Sequence, residues 1–124
     1  MNILLDCLFV GAGGFIGSVL RYLCNYLPPL GSLPVATFLI NIVGSFLLGL
    51  ISTVLLTYGL ENEHLSLFLR IGLCGGFTTF STFSLEAMNL IQDGDWAIAV
   101  GYMVLSCAVS VLAAVLGCFV GSKL

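Results

Sequence analysis

A chain of 124 residues that is 60% hydrophobic, only 7% charged and of net charge −3 cannot clothe a water-soluble globule, because a soluble domain has about a quarter of its residues charged. Its mean hydropathy is +1.19, and one membrane crossing takes about 20 apolar residues, so the length accommodates four crossings and excludes a soluble catalytic or nucleotide-binding domain. Arg21, Arg70 and Lys123 form no cluster that could hold phosphates, which argues against a nucleic-acid partner.

The segment Met1 to Asp6 lacks the basic stretch of a cleavable signal peptide, so a first span is expected over residues 4–27. It contains Gly11-Ala-Gly-Gly-Phe-Ile-Gly17, which superficially resembles a dinucleotide-binding loop. Ile16 occupies a glycine position and no strand precedes it, so that reading fails. Arg21 lies roughly 25 Å along an ideal helix from Leu4. There it can snorkel to headgroups as an anchor, or gather anions at a vestibule.

Pro28-Pro29-Leu30-Gly31 breaks the chain before a second span over residues 33–58. Thr37, Asn41 and Ser45 follow at helical spacing and share one face. An intramembrane Asn can bond a neighbouring helix, or its amide can donate to a passing anion.

Glu61-Asn62-Glu63-His64 precedes a third span over residues 65–89. Gly75-Gly76 is expected to break this helix in mid-membrane, which a bilayer tolerates only where the break is buried in protein or lines a polar cavity. Five hydroxyls and three phenylalanines follow within Phe77–Ser84. Phe77, Phe80 and Phe83 should form one stripe, and their electropositive ring edges can face an anion without a trapping charge. Arg70 and Glu86 fall near opposite interfaces, as interfacial residues or in a vestibule paired with a partner.

Asp93-Gly94-Asp95 leads to a fourth span over residues 96–121, opened by Trp96 as an interfacial aromatic. Tyr102, Ser106 and Ser110 share a face. These serines can bond back to their own helix or extend a ladder of donors.

The connections are short, so consecutive helices are expected to be antiparallel neighbours. Small residues recur at packing distance in Gly13-x-x-x-Gly17, Ser45-x-x-x-Gly49, Gly72-x-x-x-Gly76 and Gly117-x-x-x-Gly121. With four spans, Arg70 and Lys123 share a side opposite Arg21, a weak orientation signal that permits insertion both ways. Four helices of this size enclose no lumen, so an ion path would need a second subunit. Cys7, Cys24, Cys74, Cys107 and Cys118 lie scattered without a CxxC pair and are read as small apolar residues.

No ionisable residue is expected near mid-membrane. Proton-coupled antiport needs an intramembrane carboxylate, and HExxH and GxSxG motifs are missing, so an enzyme is not expected.

Gly14-Phe-Ile-Gly17 with Arg21-Tyr22, Asn41-Ile-Val-Gly44-Ser45-Phe46 with Gly49, and Gly72-Leu-Cys-Gly-Gly-Phe-Thr-Thr-Phe-Ser-Thr-Phe-Ser with Glu86 together resemble the small fluoride channel family, often called Fluc. The resemblance covers essentially the whole chain. It implies an all-α, multi-pass protein of the inner or plasma membrane, with four helices per subunit and the third broken. It further implies an antiparallel dual-topology homodimer with two pores along its interface, exporting fluoride passively and giving fluoride resistance. On this resemblance Phe80 and Phe83 present ring edges to fluoride, and Asn41 is the pore amide. Ser81, Thr82, Ser110 and Tyr102 are polar pore neighbours, and Arg21 belongs to a vestibule. Carbonyls of Gly75 and Thr78 from both subunits would hold a central structural Na⁺. Two rivals remain: a small dual-topology drug/proton antiporter, for which only Asp6 offers a first-helix carboxylate, and a non-conducting accessory subunit.

Overall fold

The computed structural model describes residues 2–60 and 62–124. Met1 and Glu61, each part of an expectation above, lie outside the described residues. The fold is all-helical. Helix α1 spans Ile3–Cys24, α2 Val35–Thr57 and α3 Glu63–Ser66; a π-helical stretch Leu67–Cys74 follows directly, then a single turn α4, Gly75–Phe77. Helix α5 spans Phe80–Gln92 and α6 Trp96–Lys123. The turns use Gly31, Gly59 and Gly94, each at positive φ, where a side chain would be strained.

Helices α1, α2 and α6 are each long and apolar enough to cross a membrane. Phe15 and Leu112 stand 71% and 66% exposed on them, a surface suited to acyl chains rather than water. This is a multi-pass membrane protein.

The tightest pairings are not between consecutive spans, contrary to expectation, although α5 does pack on α6. Helix α1 lies against the π-helical stretch and α4, whereas α2 lies against α6; α1 and α2 scarcely touch. The glycines supply the reason. A Cβ on Gly13 would sit 2.2 Å from the Phe68 carbonyl oxygen, and one on Gly17 2.3 Å from that of Leu73. On the other pair, a Cβ on Gly49 would meet the Ala114 oxygen at 2.2 Å and one on Gly117 the Phe46 oxygen at 2.1 Å. Lipid gives no hydrophobic drive to helix association, so close backbone contact selects the partners. A smaller core of Phe83, Ala87, Leu90, Ala99 and Tyr102 joins α5 to α6.

The glycine pair is not where the third element opens. Gly75 is helical at φ −65°, ψ −37°. The extended residues are Thr78 (φ −75°, ψ 157°) and Thr79 (φ −150°, ψ 118°). Gly76 is small for another reason: a Cβ there would lie 2.8 Å from the Gly14 oxygen. The extended pair also divides the expected phenylalanine stripe. Phe77 faces a pocket with Leu20, Leu23 and Leu27, while Phe80 and Phe83 line a different groove.

At one end of α1, the His64 ring stacks on Phe9 at 4.6 Å, with its Nδ1 3.4 Å from Asp6 Oδ1. This couples the first turn of α1 to α3.

Gly117→Ala should destabilise the protein by about 1–3 kcal/mol, the usual cost of overpacking. Gly11→Ala, whose Cβ would meet nothing within 4 Å, should leave the melting temperature in detergent unchanged or raised. Thermal melts of the two purified variants check the difference.

Candidate functional site

The site is built around two hydrogen bonds. Asn41 on α2 accepts from the Thr79 backbone N–H at 2.8 Å and donates its own N–H to the Thr79 carbonyl at 3.0 Å. A backbone N–H can only donate, so Oδ1 must face it and the amide orientation is fixed. Thr79 also caps α5: its Oγ1 accepts from Thr82 N–H at 3.2 Å. Threonine suits the position because it favours extended backbone and caps helix starts.

These bonds redirect donors. In an unbroken helix, Thr79 N–H would go to the Gly75 carbonyl and Thr82 N–H to that of Thr78. Here Asn41 and the Thr79 hydroxyl take them, leaving both carbonyls without their helical donors. Gly76 O, which would face Phe80 N–H, instead accepts from Arg21 Nε at 3.1 Å. Gly75 is exposed and Thr78 half-buried. Hard carbonyl oxygens released from their own helix suit an alkali cation.

Beside the opening lies a groove of about 390 Å³, lined by Asn41, Ser45, Arg70, Gly75, Thr78, Thr79, Phe80, Phe83, Ser106 and Ser110, among others. Six of the residues expected at the site thus meet here: Asn41, Gly75, Thr78, Phe80, Phe83 and Ser110. Phe80 is 76% exposed and Phe83 only 7%, with ring centroids 5.4 Å apart. The other four fall elsewhere. Ser81 and Thr82 sit on the first turn of α5, where Thr79 Oγ1 donates to Thr82 Oγ1 at 3.0 Å. Arg21 lies on α1 against Gly76. Tyr102 packs its ring on Phe83 at 5.1 Å and donates its hydroxyl to Glu86 Oε2 at 2.8 Å.

Glu86 does not simply face an interface. Its Oε1 accepts from Thr37 Oγ1 at 2.8 Å, and both Thr37 and Tyr102 are 2% exposed. The carboxylate therefore sits between α2, α5 and α6, with a hydroxyl on each oxygen.

The serines separate into two kinds. Ser18, Ser84 and Ser122 each donate to a carbonyl of their own helix. Among the described residues, Ser106 and Ser110 Oγ are buried yet have no partner. Burying a hydroxyl without a partner is costly, and both line the groove. Arg70, expected near an interface, also lines it and is exposed.

An all-helical, multi-pass membrane protein with buried hydroxyls, unpartnered among the described residues, in a largely apolar groove is the class these features define. Within that class the chain belongs to the family described as CrcB-like protein, Camphor Resistance (CrcB), which matches residues 8–118. The fluoride-specific ion channel FluC of Ruminiclostridium cellulolyticum is 46% identical over 121 residues, 94% of this chain and 92% of the relative. That of Methylobacterium radiotolerans is 42% identical over 90% of this chain and 80% of its own. That of Francisella tularensis subsp. mediasiatica is 38% identical over 91% and 92%.

Asn41→Leu should lower stability by about 2 kcal/mol or more, since it strands two backbone groups at about 1–3 kcal/mol each. Ser45→Ala, one turn along the same face, should melt with the unaltered protein. Thermal melts in detergent measure both.

Proposed function

We propose that this chain is one subunit of a fluoride channel, an antiparallel homodimer that lets fluoride leave the cell passively through two pores at its interface. The observation that carries this reading is the pair of hydroxyls, Ser106 and Ser110, buried in the groove without a protein partner among the described residues. Fluoride is small and strongly hydrated, so a path must replace its water with donors. Free hydroxyls do so, and the neighbouring Phe80 and Phe83 offer positive ring edges without a full charge. Several weak sites allow the ion to leave again. The similarity to proteins named as fluoride-specific channels points the same way.

In this reading Asn41, with one amide N–H committed to Thr79, keeps its second for the ion. Ser81 and Thr82 continue the donors along α5. The Tyr102 hydroxyl is held by Glu86, so Tyr102 contributes through its ring, which supports Phe83. A second, inverted copy would cover the exposed Phe80 and Gly75. The Gly75 and Thr78 carbonyls of both copies fit a central Na⁺, which would supply the positive charge that holds four oxygens together. Insertion in both orientations is compatible with the three scattered basic residues.

Glu86 favours keeping one second reading, a proton-coupled antiporter, because a carboxylate inside the helices is what such a protein needs. Its two oxygens are each taken by a hydroxyl, and it does not line the groove. Efflux of a lipophilic cation driven by a pH gradient would select it over the channel.

Purified protein in liposomes should release fluoride without ATP or a pH gradient, and much faster than chloride measured in parallel. Ser110→Ala and Phe80→Ile should each slow release about tenfold, the effect of losing roughly 1.4 kcal/mol of ion stabilisation. Equal leak of the two halides, or unchanged rates in both variants, would contradict the proposal.

A further inference from the structure

We infer that Arg21 is a positioning residue: its Nε–H replaces the helical donor missing from the Gly76 carbonyl and so fixes the turn that precedes the extended pair. Its link to permeation rests on the fluoride-pathway reading; its structural part does not. Gly13, Gly17 and Arg21 are spaced by four residues and lie on the α1 face packed against the third element. A Cβ on Gly17 would stand 2.8 Å from Phe77 N and 3.1 Å from Gly76 C. One turn further on, Arg21 is therefore beside Gly76, half-buried, with Nε 3.1 Å from Gly76 O.

This bond is separate from both roles the sequence offered and excludes neither. An anchor would extend its terminal nitrogens to headgroups, and an anion gatherer would act through charge. The bond found uses the innermost donor, on a carbonyl whose own helix cannot supply one because Phe80 begins a new helix. Gly76 O belongs to the peptide joining Gly76 to Phe77, immediately before Thr78 turns extended. Held from α1 at Gly76 and from α2 at Thr79, the segment between has its carbonyls and its Thr79 N–H set in direction. Removing the first hold leaves the Gly76 carbonyl without the side-chain donor that fixes its direction.

Two substitutions separate donation from charge. The side-chain nitrogen of Gln lies the same number of bonds from Cα as Arg Nε, so Arg21→Gln keeps a donor and removes the charge. Arg21→Met removes both. Amide hydrogen exchange of the peptide spanning Gly76–Phe80 in the whole reconstituted protein should rise about tenfold in Arg21→Met and stay within about twofold in Arg21→Gln. Fluoride efflux from the same liposomes should fall about tenfold in the Met variant and be largely preserved in the Gln variant, as one hydrogen bond is kept. Equal slowing of efflux in both variants with unchanged exchange would show a role of charge and overturn the inference; so would two variants that match the unaltered protein. Exchange is scored whether or not fluoride flows, so a protein that conducts none fails the channel reading alone.

Discussion

The paired hydrogen bonds between the Asn41 side chain and the Thr79 backbone are the constraint on which the site depends. In a medium without water, an extended residue inside a helical element must find partners for its N–H and C=O within the protein. Asn41 offers one acceptor and one donor in the right geometry, and the Thr79 hydroxyl then starts α5 afresh. The backbone polarity at the opening follows from that substitution of partners. The carbonyls of Gly75 and Thr78 are left without helical donors, Gly76 O turns to Arg21, and the chain resets its direction so that Phe80 and Phe83 reach a groove that Phe77 does not.

The glycines answer a different need. Close packing of α1 on the third element, and of α2 on α6, brings backbone against backbone at distances no side chain could share. The two tight pairs form a rigid frame of four elements. Asn41 belongs to one pair and Thr79 to the other, so their bonds also join the halves of the frame. The unpartnered Ser106 and Ser110 lie on α6 beside that junction, where the second pair meets the groove.

Much of this was legible in the sequence. Hydropathy and short polar turns gave the spanning elements, and the coincidence of glycines, hydroxyls and phenylalanines drew attention to Gly75–Ser84. Asn41 and Ser110 could be singled out as intramembrane polar groups, and Phe80 and Phe83 by their alternation with hydroxyls; the roles expected of them came from the family resemblance. Three matters were not legible. Gly75-Gly76 read as a break, yet glycine serves equally for close approach, and for Gly76 only the position of Gly14 decides which. Helix pairing was hidden because several small-x-x-x-small faces are interchangeable until docked. Glu86 was placed by its distance along an ideal helix, and that distance carries no information about Thr37 and Tyr102 converging from two other helices.

The extended conformation of Thr78 and Thr79 is the feature whose loss would undo the rest, and it can be measured without any assay of transport. Solid-state NMR of the reconstituted protein, labelled at Asn41, Thr78 and Thr79, reports backbone torsions and the proximity of the Thr79 nitrogen to the Asn41 amide group. Extended torsions at both threonines, with a through-space correlation from Thr79 N to the Asn41 side chain, are expected. Helical torsions at both residues, with no such correlation, would contradict it.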